Sequence, residues 1–136
     1  VHPNCTVSEG KIPLQSGETG DTIHVGLPYS AKLKLMKLDT GSAEGTAQTK
    51  RKRIVKVLLR FLETVGCKVG PDEAHLQSIT FQEAGQHMGV AIPLYTGDKT
   101  SSFQGGYNRD GYVMIVHDDP LPFTLLAVVP DVEVTQ

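Results

Sequence analysis

The longest apolar run of the chain, residues 51–65, opens with its densest positive charge and fits two periodicities. Helical spacing is met by Ile54, Leu58, Leu62 and Val65. Strand alternation is met by Val55, Val57, Leu59 and Phe61. A helix would hold several cations in its first turn, where the positive end of the dipole disfavours them. Although Gly66 would suit a helix C-cap and keeps that alternative open, the pattern favours a strand.

Shorter apolar runs on either side predict further strands separated by turn residues. The weaker of these predictions are residues 22–27, 32–38, 79–81 and 90–95. The strongest are residues 112–116 and 123–129, which are β-branched and apolar. Because only a short, proline-containing loop joins these last two runs, the sequence predicts that they form a hairpin.

Two polar stretches, residues 39–49 and 96–111, contain the turn-forming residues of the chain and are predicted to be loops. One short helical turn is expected after Pro71, where Asp72 and Glu73 suit a helix start. Strands spaced about ten residues apart, with almost no helix, predict an all-β fold. We therefore expect a β-sandwich-like domain with long loops and at most one short helix, and residues 1–136 are few enough for a single domain.

The net charge of −2 conceals an uneven distribution. Residues 32–68 contain ten Lys or Arg against three carboxylates, a balance of +7. The other residues contain three Lys or Arg against twelve carboxylates, a balance of −9. This split has three possible uses: the acidic flanks fold against the basic centre, acidic and basic surfaces of neighbouring subunits meet, or the basic centre contacts nucleic acid.

The candidate binding residues are the cations of the central run, which would contact a neighbouring subunit or line a DNA path. They are Lys50, Arg51, Lys52, Arg53, Lys56 and Arg60. Aromatic residues for base stacking are not interleaved with them, since Phe61 falls on the opposite face of a strand. A solvated or subunit-facing basic edge is therefore favoured over a nucleic-acid site.

No catalytic or metal motif stands out in the sequence. His117, Asp118 and Asp119 form one cluster that could ligate a metal, and residues 72–75 contain another. Both clusters lie at predicted turns, where aspartate is common for conformational reasons. Nucleophile-elbow, zincin and phosphate-loop motifs are absent. The sequence predicts no enzyme activity, no metal site and no cofactor, and it contains no apolar run long enough for a membrane helix.

Several stretches, taken together, resemble the C-terminal part of tail proteins from short-tailed bacteriophages and related prophages, of the tail stabilisation or nozzle type. They are residues 25–30 (VGLPYS), 52–60 (KRIVKVLLR), 69–76 (VGPDEAHL), 95–99 (YTGDK), 105–110 (GGYNRD) and 116–127 (VHDDPLPFTLLA). The resemblance covers roughly residues 22–130. Its motifs are distinctive in combination, and none is catalytic.

The resemblance implies a virion structural protein that forms a ring below the portal and continues the conduit through which DNA leaves. Its partners would be copies of itself and other tail or portal-proximal proteins, with non-specific contact to exiting DNA. It would be assembled in the bacterial cytoplasm and located in the virion tail. The start at Val1 fits the expectation that the chain is the C-terminal fragment of a longer tail protein.

Two other function classes remain open from the sequence. One is a carbohydrate-binding or hydrolytic accessory domain of a tail spike, which the lack of Trp and the scattered positions of four Tyr disfavour. The other is a nucleic-acid-binding module, which would use the basic run around Lys52 and Arg53.

Overall fold

A computed structural model describes residues 5–14, 19, 22–23, 25–39, 41–42, 45–46, 48, 50–82 and 92–135. These residues form nine β-strands: β1 Ala31–Lys34, β2 Gly41–Ser42, β3 Gly45–Thr46, β4 Arg51–Thr64, β5 Lys68–Gly70, β6 Gln77–Ser78, β7 Tyr95–Ser102, β8 Met114–His117 and β9 Leu125–Thr135. The all-β prediction is confirmed. No helix in the described part of the chain is long and apolar enough to cross a membrane.

The strands form two antiparallel sheets and a small hairpin. One sheet has the order β7-β4-β9, the other has the order β1-β8-β5-β6, and β2 pairs with β3 alone. Residues of both sheets share one hydrophobic cluster, with Phe61 and Leu59 contributed by β4 and Ile115 by β8. Because the two inner faces pack on a common core, the architecture is sandwich-like.

β4 is the central strand of its sheet, as the alternation of its residues predicts, and the helical alternative is wrong. Its inward-facing side chains Val57, Leu59 and Phe61 are completely buried, whereas Lys56 and Arg60 are exposed. The pairing with β9 shifts between Ile54 and Lys56, so Val55 is an extra residue on β4. Such a bulge reverses the alternation and turns Ile54 toward the core together with Val57.

The predicted hairpin of residues 112–116 and 123–129 is wrong. Both runs contain strands, but β8 pairs with β1 and β5, whereas β9 pairs with β4 in the other sheet. The loop between them crosses from one sheet to the other. The side chain of His117 holds this crossing, because its Nε2 lies 2.9 Å from the carbonyl oxygen of Leu121.

Other local predictions were also corrected. Residues 96–102 were predicted to be a loop and belong to β7, which pairs with β4 from Lys56 to Thr64. Residues 41–42 and 45–46, in the other predicted loop, form the β2–β3 hairpin.

The predicted strand 32–38 corresponds to the shorter β1, and the described residues of 22–27 are not in a strand. The predicted strand 79–81 is displaced to β6, and the described residues 92–94 of the predicted strand 90–95 precede β7.

The predicted helical turn after Pro71 is a hydrogen-bonded turn. The Asp72 carboxylate accepts hydrogen bonds from the backbone N–H groups of Ala74 at 2.9 Å and His75 at 3.0 Å. The aspartate therefore closes the turn with its side chain, as aspartate does at a helix start, but no helix follows.

Candidate functional site

The six cations singled out in the sequence lie along β4 and just before it, but they do not form one exposed patch. Arg51, Arg53, Lys56 and Arg60 are exposed, and Lys50 is half-buried. Lys52 is buried, with 1% of its surface exposed. The strand alternation and the bulge at Val55 explain the difference, because they direct the side chain of Lys52 inward with Ile54.

Lys52 is therefore corrected from an exposed contact residue to a structural one. Its Nζ donates a hydrogen bond to the carbonyl oxygen of Leu38. Its methylene stem lies against Gly111, where an added Cβ would be 3.1 Å from Lys52 Cδ. Asp110 carries a lowered pKa because of Lys37 first, with a smaller contribution from Lys52. A buried ammonium group needs such compensation, and the fold supplies a carbonyl and a nearby carboxylate.

The loop that covers Lys52 contains the GGYNRD stretch. Its backbone pairs with β4, since Asn108 and Lys52 exchange N–H···O hydrogen bonds of 2.8 and 3.0 Å. The Asn108 side chain closes the loop by accepting from the N–H groups of Asp110 and Gly111 at 3.0 and 2.7 Å. The cavity under the loop measures about 10 Å³. That is room for about one water molecule and not for an organic ligand.

Arg60 is held by the neighbouring strand. Its Nε and Nη2 atoms donate to the two carboxylate oxygens of Asp98 at 2.7 and 2.8 Å. This two-point contact raises the pKa of Arg60 and lowers that of Asp98. Both side chains are exposed, so solvent screens the pair and its main effect is to orient the guanidinium along the sheet.

Part of the uneven charge of the sequence is satisfied within the chain. Five cations of residues 32–68 form ion pairs with carboxylates outside that range. The pairs are Lys32–Glu73, Lys37–Asp110, Lys56–Asp131, Arg60–Asp98 and Lys68–Asp118. Of the three uses that the sequence allowed, folding of the acidic flanks against the basic centre is confirmed, and the other two remain predictions.

The cluster at residues 117–119 is structural rather than a set of converging ligands. Both nitrogens of the buried His117 face carbonyl oxygens, Gly66 at 2.7 Å and Leu121 at 2.9 Å. A neutral ring carries one N–H and donates to one of these oxygens, whereas the imidazolium form donates to both. Asp118 instead contacts Lys68 at 2.6 Å, which lowers the pKa of the carboxyl. Among the described residues, no group of three His, Cys, Asp or Glu side chains converges as a metal site.

His117 belongs to a series of aromatic contacts through the core, in which the Tyr29 ring contacts it with centroids 5.5 Å apart. The His117 ring stacks on Phe123 with centroids 4.6 Å apart, and Phe123 packs edge-on against Phe61 at 6.2 Å. Phe61 contacts Phe81 at 5.3 Å, and Phe81 contacts Tyr95 at 6.0 Å. The series therefore links the sheet crossing after β8 to the start of β7.

The YTGDK stretch is also occupied by structural contacts. Tyr95 donates its hydroxyl hydrogen to the carbonyl oxygen of Asp98 at 2.9 Å, and the Lys99 ammonium lies 4.4 Å above the Tyr95 ring. Gly97 has a φ of 144°, which glycine adopts readily. Residues 96–99 of this stretch were predicted to lie in a loop because they are polar, and their composition does not indicate the pairing with β4.

A further exposed surface, which was not among the predicted binding residues, lies along residues 25–36. Large apolar side chains are exposed there, and two of them, Leu27 and Met36, have 88% of their surface exposed. The others are Val25, Tyr29 and Leu33. The exposure of these residues is not predicted by the sequence, because apolar residues near a predicted strand are ordinarily assigned to the core.

No protein-family model matches this chain, and no curated protein matches it significantly. The class that the geometry defines is therefore an all-β, sandwich-like domain whose charged and aromatic motif residues hold the fold together.

Proposed function

We propose that the chain is a structural component of a phage tail, acting through protein–protein contacts in a ring below the portal that continues the DNA exit conduit. Its location would be the virion, with copies of itself and other tail or portal-proximal proteins as partners. The observation that carries this proposal is the exposed apolar stretch of residues 25–36. Contiguous exposed apolar surface marks interaction sites, and these five side chains fall within twelve consecutive residues.

The contacts of the motif residues support a structural role over a catalytic one. Asp98, Asp110 and Asp118 are each engaged in an ion pair, and the buried His117 is engaged by two carbonyl oxygens. Catalysis requires groups that reach a substrate, whereas these groups reach other parts of the same chain. The stretches on which the phage-tail resemblance rests would then be those that build the domain.

The test of the main proposal is the mass of the protein in solution. Light scattering over a concentration series would compare this chain with the protein expressed from its complete reading frame. We expect a ring from the complete protein, alone or with other tail components, and its presence in purified virions by mass spectrometry. A protein that stays monomeric beside those components and is absent from virions would contradict the proposal, and a glycan-binding screen would follow.

The exposed stretch has its own test. Replacing two apolar side chains, Leu27→Ser with Met36→Ser, removes contact area without disturbing buried residues, so we expect weaker assembly with unchanged thermal stability. The matched control is Ile92→Ser with Leu94→Ser, which changes two other exposed apolar residues. Equal loss of assembly in both variants would show that general surface hydrophobicity, rather than this stretch, drives association.

Contact with exiting DNA is proposed for the exposed cations at the start of β4. Arg51→Glu with Arg53→Glu should reduce binding of the assembled ring to DNA at low salt, because phosphate contacts release counterions. Lys11→Glu with Arg109→Glu makes the same change in net charge at exposed positions elsewhere and should have less effect. If both variants lose binding equally, a general charge effect explains the affinity.

A further inference from the structure

Among the described strands, β1, β6, β7 and β9 lie at the edges of the two sheets, and β1 and β9 are the two considered for contact between copies. β1 ends the four-stranded sheet, and β9 ends the three-stranded one. An edge strand presents a row of N–H and C=O groups that no neighbour within its sheet satisfies, and such a row can pair with another chain. The sequences of these two edges are complementary in charge: Lys32 and Lys34 flank Leu33 in β1, whereas Asp131 and Glu133 flank Val132 in β9.

The hydrogen bonds determine which residues of β1 point outward. The N–H of Leu35 donates to the carbonyl oxygen of Val113 at 2.9 Å, in register with the pairing of Leu33 to Ile115. Backbone groups of successive residues in a strand point in opposite directions. The N–H and C=O groups of Lys32 and Lys34 therefore point away from β8, toward the free edge.

In β9 the hydrogen bonds likewise determine which backbone groups point outward. The N–H of Phe103 donates to the Val55 carbonyl oxygen, so the odd-numbered residues of β4 beyond the bulge face β7 and its even-numbered ones face β9. Their partners Val129 and Asp131 thus bond to β4. The backbone groups of Pro130 and Val132 therefore point away from β4, and those of Val134 follow the same alternation. Proline lacks an N–H, so its position at a free edge sacrifices no hydrogen bond within the sheet.

Charge disfavours pairing of like edges. Two copies of β1 in antiparallel arrangement would bring Lys32 of one copy opposite Lys34 of the other. Two copies of β9 would bring carboxylates of Asp131 and Glu133 opposite each other. Like charges directly opposite in a sheet are destabilising, whereas opposite charges stabilise. A twofold-symmetric dimer through either edge is therefore disfavoured.

We propose that β1 of one copy of this chain pairs in parallel with β9 of a second copy. In a parallel pair, a residue whose backbone groups face the partner strand lies opposite a residue whose backbone groups face away from it. This sets Lys32 opposite Asp131 and Lys34 opposite Glu133. Leu33 then lies opposite Val132 on the other face. Antiparallel pairing of the same edges would instead oppose the lysines to valines.

The proposed contact contains a regular ladder of four hydrogen bonds. The backbone N–H of Lys32 donates to the carbonyl oxygen of Pro130, and the N–H of Val132 donates to the carbonyl oxygen of Lys32. The N–H of Lys34 donates to the carbonyl oxygen of Val132, and the N–H of Val134 donates to the carbonyl oxygen of Lys34. Pro130 serves only as an acceptor, so its missing N–H costs nothing at the interface.

The charged groups have contacts within the chain that the interface would share or replace. Lys32 lies 3.0 Å from Glu73, and Asp131 lies 3.5 Å from Lys56. The side chains of these two ion pairs are well exposed, and exposed ion pairs are weak and exchangeable. Glu133 accepts a hydrogen bond from the Tyr107 hydroxyl at 3.3 Å, and the Lys34 ammonium lies 4.1 Å from the centroid of the Tyr112 ring.

The contact uses different surfaces on the two copies, so each copy keeps one free β1 and one free β9. Such heterologous contacts continue until a ring closes or a filament forms. The inference thus deepens the proposed function, on which it rests for the high local concentration of copies, by naming the surfaces that would meet between subunits.

Two charge-reversed variants test the pairing in sedimentation experiments. Variant one carries Lys32→Glu with Lys34→Glu, and variant two carries Asp131→Lys with Glu133→Lys. Each alone opposes like charges, so its dissociation constant should rise roughly tenfold or more over that of the unmodified chain. An equimolar mixture opposes unlike charges at every contact and should recover association. Lys11→Glu with Arg109→Glu, which matches the charge change of variant one, should associate as the unmodified chain does.

Disulfide trapping tests the register. In a Cys5→Ser background, which removes the exposed cysteine, Lys32→Cys protein mixed with Asp131→Cys protein should form a cross-linked dimer. Lys34→Cys mixed with Asp131→Cys should not, because these residues are two positions out of register and too far apart for the bond.

The outcomes separate this contact from the proposed function. An unmodified chain that stays monomeric at high concentration, or a mixture that fails to recover association, overturns the β1–β9 pairing. Either result leaves the phage-tail proposal standing if the complete protein still forms a ring through other surfaces. A β1–β9 cross-link from a protein that is absent from virions would support the pairing and contradict the tail role.

Discussion

At one end of β4 the core contains an ammonium group, and at the other end it contains an imidazole ring. Lys52 donates to one carbonyl oxygen, that of Leu38, under the loop of residues 103–112. His117 contacts two carbonyl oxygens, and its ring stacks on Phe123. Both residues are 1% exposed, so burial alone does not distinguish them.

The difference lies in how many parts of the chain each group joins. Lys52 connects its strand to the segment after β1, and its flexible stem can adjust to changes in the covering loop. His117 connects the end of β8 to Gly66 and to Leu121, whose carbonyl oxygen also accepts from the Tyr29 hydroxyl at 3.1 Å. We infer that the imidazole end tolerates less change than the ammonium end.

The largest expected effect is at the imidazole end. His117→Ala removes the ring that contacts the carbonyl oxygens of Gly66 and Leu121 and leaves a void beside Phe123, so it should lower the free energy of unfolding by about 3 kcal/mol. Denaturant unfolding monitored by circular dichroism would measure it. Asp118→Asn, at the exposed neighbouring position, is the control and should have a much smaller effect. Equal losses in the two variants would contradict a structural role for the ring.

The ammonium end should be less sensitive. Lys52→Ala removes the donor to Leu38 and the packing of the stem, at a cost of about 2 kcal/mol. Lys52→Met keeps most of the packing and removes the buried charge, so about 1 kcal/mol is expected. If Lys52→Met were as damaging as His117→Ala in the same unfolding experiment, the proposed order of the two ends would be reversed.

Gly111 provides a second test of the ammonium end because it touches the stem of Lys52. Gly111→Ala should cost about 1 kcal/mol, since the glycine has a φ of 60° that other residues adopt at a penalty. Its added Cβ would also crowd Lys52, so the cost should be smaller in the Lys52→Ala background. Gly106→Ala is the control, as an added Cβ there meets nothing within 4 Å. A double-mutant cycle by thermal denaturation would measure the coupling.

The smallest effect is expected from acid. Asp118 near the imidazole end and Asp110 near the ammonium end both have a lowered pKa, caused first by hydrogen bonds to Lys68 and Lys37. A carboxyl whose folded pKa is depressed adds stability above its unfolded pKa and loses it as the pH falls through the folded value. The melting temperature should therefore fall slightly below about pH 4. Asp110→Asn with Asp118→Asn should flatten that part of the profile, and an unchanged slope would contradict the assignment.

Periodicity identified the central strand because β4 alternates over most of its length and the inward-facing residues are the apolar ones. It could not locate the bulge at Val55, since a bulge is set by pairing with β9 and by no residue type within β4. The inward turn of Lys52 follows from that bulge. A cation in a charged run is normally exposed, so no local pattern indicates that this one is buried.

Pairing between distant segments explains the other corrections. β7 is rich in Thr and Ser, and it becomes a strand because its backbone pairs with β4 and Asp98 forms an ion pair with Arg60. Residues 112–129 contain two strands separated by a short loop, which locally predicts a hairpin. The contacts of His117 with Gly66 and Leu121 stabilise a crossing between sheets instead, and no local pattern encodes those contacts.

The position of β4 between β7 and β9 also has a consequence during synthesis. β4 ends at Thr64, whereas β9 begins at Leu125, so a ribosome releases the apolar strand long before its last partner exists. Unpaired apolar strands on a nascent chain are prone to aggregate, and flanking charges oppose this. The cations at the start of β4 would then reduce aggregation of the incomplete chain until β9 has been translated.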